Sequence, residues 1–221
     1  ELRQISPRLK ISAEAARRPE DIHDDVWRRV EVLYTDSVLP EPKKVPRLKW
    51  IQFHYAGLDM VLESPLLKME GIQVTTLSGA AAPQVAEFLL TMMLVLGHKV
   101  PALAENQELM EWPRDRHERF LPKELRGSTV GIVGYGSVGR ELARLLRPLE
   151  VKTLAVKRDL MHPEDEGYSA TGLGDPNGDL FTRLYPALAL ASMVKECDYL
   201  VVCLPLTHET RNIINETILK A

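Results

Sequence analysis

Apolar and polar positions alternate in three stretches near the N-terminus, "RVEVLYTD" (29–36), "LKWIQFHYAG" (48–57) and "IQVTTLSG" (72–79), each running into a polar or glycine-containing turn. A period of two with β-branched and aromatic residues predicts strands. Between the last two, "LDMVLESPLLKME" has the spacing of one or two short helical turns. The period then lengthens. "PQVAEFLLTMMLVLGHKVPALAENQELMEW" (83–112) opens on a proline suited to a first helical turn and carries a broad apolar face, with Met92, Met93 and Leu94 read as core. Pro101 permits a second helix, and 113–128 forms an irregular approach to the next strand, "TVGIV" (129–133). A helical pattern, "RELARLL" (140–146), and a strand, "VKTLAVKR" (151–158), follow. Residues 159–186 are rich in Gly, Asp and Pro, and are read as one long loop. A helix (187–196), an apolar strand, "DYLVVCLPL" (198–206), and a closing helix within "THETRNIINETILKA" (207–221) complete the chain. Strands alternating with helices predict parallel α/β layering. The change of pattern places a domain boundary near residue 98, giving units 1–98 and 99–221.

Between the strand 129–133 and its helix lie Gly134, Gly136 and Gly139. In a βαβ dinucleotide-binding unit of Rossmann type, the first glycine allows the tight turn and the second lets backbone approach a pyrophosphate. The third lets helix and strand pack closely. Tyr135, Ser137 and Val138 complete the turn, and their amides would face phosphate at a helix N-terminus. Three glycines alone are a weak signal, but strand, glycines, helix and second strand here follow in order. The second strand ends Val156-Lys157-Arg158, with no carboxylate before Asp159. An NAD-binding unit usually offers an acid there to the ribose 2′-hydroxyl, whereas a guanidinium suits a 2′-phosphate. NADP(H) is therefore favoured and NAD(H) possible; the other reading makes Lys157 and Arg158 solvated surface charges. Residues 159–186 read either as a functional lid or as a solvated insertion.

Composition narrows the function. Among 221 residues, 45% are hydrophobic, enough for a substantial core, and 28 basic against 31 acidic residues give a formal charge of -3. That balance gives no reason to propose nucleic acid or an anionic membrane as a partner, and no apolar run approaches a bilayer span. Cys197 and Cys203 lie near an apolar strand and read as buried reduced thiols, consistent with a cytoplasmic setting. The six histidines show no metal-ligand spacing, so no metal is expected. The sequence does not begin with Met and opens in a helical pattern, which reads as a segment of a longer protein.

Three blocks carry a resemblance over roughly residues 45–221: "LKWIQFHYAGLD" with "TTLSGAAAPQVAEFLLTMML", then "ELRGSTVGIVGYGSVGRELARLL", then "CDYLVVCLPLTHETRNIIN". In this order they resemble the D-isomer-specific 2-hydroxyacid dehydrogenases, and most of all the glyoxylate/hydroxypyruvate reductase type. The resemblance implies a Rossmann-type doubly wound parallel sheet plus a partial flavodoxin-like α/β domain, the two facing each other across a cleft. It further implies a homodimer through the cofactor domain, and hydride transfer between a nicotinamide and a small 2-keto or D-2-hydroxy acid. By the same resemblance the amides of Tyr55, Ala56 and Gly57 would hold the substrate carboxylate. Leu204 and Pro205 would shape backbone contacts on the nicotinamide side, with Thr210 within reach of the cofactor.

The family's catalytic Arg, Glu and His fall beyond Ala221, so none of their roles is carried onto this chain. His54, His98, His117, His162 and His208 lie outside the matching motifs and read as surface or structural. The expectation is a reductase whose 221-residue segment is inactive alone, since the chemistry needs a cation to polarise the keto acid and a His–carboxylate pair for the proton. The competing reading is a non-catalytic, corepressor-like dinucleotide sensor on the same scaffold.

Overall fold

The computed structural model describes residues 2–165 and 167–221, and the chain divides into two compact units between Leu77 and Ser78. The first unit contains α1 (Leu2–Ile5), α2 (Asp24–Trp27) and three strands, β1 (Val32–Thr35), β2 (Trp50–Phe53) and β3 (Gln73–Thr75). The strands pair in parallel in the order β1-β2-β3, with Tyr34 opposite Gln52 and Gln52 opposite Thr75. Alternation sends Ile51 and Phe53 into a core with Trp27, Val45 and Leu66. The buried Trp27 indole donates to the Pro19 carbonyl at 3.0 Å. On the other face the Trp50 indole donates to Thr75 Oγ1, which donates to Gln52 Oε1, each at 2.6 Å.

The second unit begins with α3 (Ala82–Gly97) and α4 (Val100–Glu108), bent by 64° at a break where Lys99 takes a left-handed φ of 53° and Pro101 enters the first turn of α4. After α5 (Arg116–Arg119) come β4 (Thr129–Val133), α6 (Ser137–Leu146), β5 (Lys152–Val156), β6 (Arg183–Tyr185), α7 (Leu190–Val194), β7 (Tyr199–Val202) and α8 (Glu216–Leu219). All four strands are parallel in the order β6-β5-β4-β7. Numbered within this unit alone, that is 3-2-1-4, with the change of direction between β4 and β7. On one face Val130 and Ile132 of β4 pack with Leu142, Ala143 and Leu146 of α6 and with Ala86 and Met93 of α3. On the other, Val133, Leu154 and Val156 pack with Leu190 and Met193 of α7. The expected doubly wound sheet is present, with helices on both faces.

Four local expectations change. The units divide about twenty residues before residue 98, because the Ala86/Met93 side of α3 packs against α6 and so belongs to the second sheet. Within α3 only Met93 of the three residues assigned to the core is buried; Met92 and Leu94 are exposed. The long loop contains β6, whose Leu184 pairs with Ala155. The closing helix shrinks to α8, capped by the Asn215 side chain, which accepts from Ile218 N. Residues before it are held in turns by Thr207 and Thr210, whose hydroxyls accept from each other's backbone amides at 3.2 and 2.8 Å. Among the described residues no single helix is long and apolar enough to cross a membrane.

Candidate dinucleotide site

The turn after β4 stands where an open parallel sheet binds ligands, at the carboxyl ends of the strands on either side of the switch point. Its three glycines differ in what a side chain would meet. Gly134 takes φ +102°, and a Cβ there would meet the Cys203 carbonyl oxygen at 2.9 Å. Gly139, in the first turn of α6, lies against β4: a Cβ would come within 2.6 Å of the Gly134 carbonyl oxygen and 2.8 Å of Ile132 Cγ2. At Gly136 a Cβ would meet no protein atom within 4 Å. Gly136 is also the N-cap of α6, without a side chain to cap it, and its carbonyl accepts from Arg140 N at 2.9 Å. The first amides of a helix, here those of Ser137, Val138 and Gly139, have no acceptor within the helix. The turn is held from one side by β5, since Gly134 N and Tyr135 N both donate to Val156 O, at 3.1 and 3.2 Å.

The two segments beside this turn come together over it. Arg158, two residues past β5, donates to the Glu209 carboxylate at 2.7 Å, and Glu209 lies past β7 on the other side of β4. Lys157 turns away: its ammonium donates to the carbonyls of His162 and Glu164. Asp159 accepts from His162 Nδ1 at 2.7 Å, which lowers the carboxyl pKa and raises that of the imidazole. Leu204 packs against Gly134, Pro205 is exposed, and the Pro205 carbonyl accepts from Thr210 Oγ1 at 2.6 Å. The Thr210 hydroxyl therefore ties its own segment together.

On the flank of α6 lies a network of buried polar groups. Tyr135, the middle residue of the glycine turn, is buried and donates to Asp175 Oδ2 at 2.7 Å, while its ring meets Phe181 edge-on at 5.3 Å. Arg140 is 1% exposed; its guanidinium lies 4.9 Å from the Tyr135 ring and donates to the carbonyls of Asp175, Pro163 and Glu164. Glu141, 2% exposed, pairs with Arg144 and accepts from Gly174 N at 2.7 Å. Burial pushes the Tyr135 hydroxyl pKa far up, helped by Asp175. Burial works against the Asp175 carboxylate too, yet the Tyr135 hydroxyl and the Leu180 and Asp179 amides outweigh it and hold its pKa below the ordinary value. The described residues of 159–182 are thus a strap fastened to α6. A cavity of about 180 Å³ lies between strap and helix, lined in part by Ser137, Arg140, Tyr168 and Leu173.

Residues 90–221 match the family described as "D-isomer specific 2-hydroxyacid dehydrogenase, NAD binding domain". The chain belongs to this family. Among similar proteins, a hydroxypyruvate reductase of Thermotoga maritima is 32% identical over 159 residues, 72% of this chain and 45% of that protein. A glyoxylate reductase of Pyrococcus furiosus is 28% identical over 182 residues, 80% of this chain and 49% of that protein. The chain spans about half the length of the curated relatives it matches. The D-lactate dehydrogenase of Aquifex aeolicus, solved with NAD and lactic acid, shares the fold with a TM-score of 0.68 at 23% identity, over 92% of this chain and 56% of that one.

The expected glycine-turn residues gather at the head of α6, with Arg158, Leu204, Pro205 and Thr210 in the flanking segments. Lys157 does not join them, being engaged with the strap. In the first unit, Tyr55, Ala56 and Gly57 form an exposed turn at the C-terminal end of the middle strand, β2. His54 at its start donates its backbone amide to the Thr35 carbonyl, and its ring nitrogen lies 2.5 Å from the Tyr34 hydroxyl. Four residues escaped the sequence reading: Arg140, Glu141, Asp175 and Glu209. The spacing gave no signal for the first two, since both lie off the apolar side of α6 formed by Leu142, Ala143 and Leu146. No cluster of His, Cys, Asp or Glu among the described residues could hold a metal ion.

Proposed function

We propose that this chain supplies the dinucleotide-binding and carboxylate-anchoring parts of an NAD(P)-dependent reductase that interconverts a 2-keto acid and a D-2-hydroxy acid. The observation that carries the reading is the contrast among the glycines: Gly134 and Gly139 are demanded by the protein's own packing, Gly136 by nothing in the protein. A glycine standing where a side chain would fit marks a backbone that something else approaches, here beside the uncapped amides of Ser137 and Val138. The residues present fit a dinucleotide. Gly134, Tyr135, Gly136, Ser137, Val138 and Gly139 would hold its pyrophosphate, Arg158 its adenosine end, and Leu204, Pro205 and Thr210 the nicotinamide side. When bound, the nicotinamide supplies the hydride acceptor or donor.

The exposed amides of Tyr55, Ala56 and Gly57 would anchor the substrate carboxylate. Residues 1–77 would then serve the substrate and 78–221 the cofactor. NADP(H) is favoured, because the first carboxylate after β5, Asp159, is taken by His162 while Arg158 remains exposed. The setting is read as cytoplasmic, with Cys197 and Cys203 unpaired and their thiol pKa values pushed up to about 11 by burial. The 221-residue chain by itself is expected to be inactive.

Fluorescence titration with NADH and NADPH tests the reading. Saturable binding of a reduced dinucleotide, weakened for NADPH by Arg158→Ala, is the expected result. Binding of neither cofactor would refute it.

A further inference from the structure

The geometry points to Glu209 as the residue that limits how strongly this site prefers a 2′-phosphate. The inference rests on the dinucleotide reading and sharpens it. Arg158 follows the third glycine at about the distance where a βαβ unit contacts the adenosine ribose. Its guanidinium does not face solvent alone: it donates to Glu209 Oε2 at 2.7 Å. Glu209 reaches it from beyond β7, so the pair crosses the carboxyl end of β4 and the turn that begins at Gly134.

The backbone bearing Glu209 is fixed. Thr207 and Thr210 exchange amide-to-hydroxyl hydrogen bonds on either side of it, and the Thr210 hydroxyl is tied to Pro205 O. The start of the same segment abuts the Gly134 turn through Cys203 and Leu204. The side chains themselves are 82% and 74% exposed, so the pair is exchangeable rather than locked.

Chemistry then decides between the two cofactors. A 2′-phosphate carries about −1.5 to −2 charges near neutral pH. To use Arg158 it must displace the Glu209 carboxylate and stay beside it, so attraction and repulsion arrive together. A 2′-hydroxyl meets no such cost and gains an anionic acceptor, the group that Val156-Lys157-Arg158 does not provide from its own strand. Arg158 favours the phosphate and Glu209 restrains it, which makes the ratio of affinities a property of the pair.

The test uses the full-length protein and titrates NADH and NADPH separately at low ionic strength. Glu209→Gln is expected to tighten NADPH about fivefold, the scale of one exposed ion pair, and to leave NADH unchanged or weaker. Glu209→Asp keeps the charge and should keep the wild-type ratio. In an Arg158→Ala background the Glu209→Gln effect on NADPH should shrink, because the competition has lost its object. An unchanged NADPH-to-NADH ratio in Glu209→Gln, or an equal shift of both cofactors, overturns the inference while leaving the dinucleotide reading intact. Failure of the wild type to bind either cofactor overturns that reading, and this inference with it.

Discussion

At Gly136 and Gly139 the same added methyl group should have opposite consequences. Gly139→Ala would drive a Cβ into the Gly134 carbonyl and Ile132, atoms that cannot move without shifting β4. Overpacking of this kind costs about 1–3 kcal/mol, so a lower melting temperature is expected. Gly136 has φ −95°, ordinary for alanine, and open space at Cβ. Gly136→Ala should therefore melt no lower than wild type, by the usual effect of replacing a permissive glycine, yet bind dinucleotide at least about tenfold more weakly. Equal dinucleotide affinity for Gly136→Ala and wild type would remove the main support for a phosphate cradle. The packing roles of Gly134 and Gly139 were legible in the sequence, since both follow from spacing within a strand–turn–helix. The Arg158–Glu209 pair was not, because its partners are 51 positions apart and meet only once β5 and β7 flank β4.

The helix and the strap are a different kind of problem, because α6 buries two sides. Leu142, Ala143 and Leu146 face the sheet, as the apolar spacing predicts. Arg140 and Glu141 are buried as well, under residues that a hydrophobicity pattern assigns to solvent, and their partners are mainly strap backbone: carbonyls of residues 163, 164 and 175, and the amide of Gly174. A pattern of side chains cannot reveal a helix face satisfied by loop backbone, so both the strap's attachment to α6 and the three-residue strand β6 that follows it went unread. Asp175 is the strap's buried pH-sensitive group. Its pKa is lower in the folded protein than in the unfolded chain, where it is about 3.9. Above that value its contribution to stability is fully present, and it is lost as pH falls through the folded-state value. Thermal melts between pH 6 and pH 2 should therefore show an acid-side decline that is shallower in Asp175→Asn, whose melting temperature is lower than wild type at neutral pH. A Asp175→Asn profile parallel to wild type across that range would show that the strap is not anchored through this carboxylate.

Across the whole chain, α3 explains both the displaced domain boundary and the strongest prediction about assembly. The alternation of strands and helices was enough to foresee two parallel α/β units. The unit to which a long apolar helix belongs depends on which side finds a partner, and the sequence shows apolar residues on more than one side. Ala86 and Met93 pack onto the second sheet's core, whereas Val85, Phe88, Met92 and Leu96 form a row at helical spacing that is 40%, 59%, 36% and 64% exposed. A contiguous apolar strip of that kind marks an interaction surface more often than a bare one. Past the bend at Lys99, Val100 and Leu103 on α4 are exposed as well. We propose that a second copy of the chain covers the strip, giving a homodimer through the cofactor unit, since isologous pairing of one self-complementary patch is the commonest closed assembly. Sedimentation velocity should then find a dimer for wild type and a monomer for Phe88→Glu with Leu96→Glu. Both positions point away from the Ala86/Met93 core, so the charged variant should retain its far-UV circular dichroism. A charged variant that still sediments as the wild type does would place any assembly on another face.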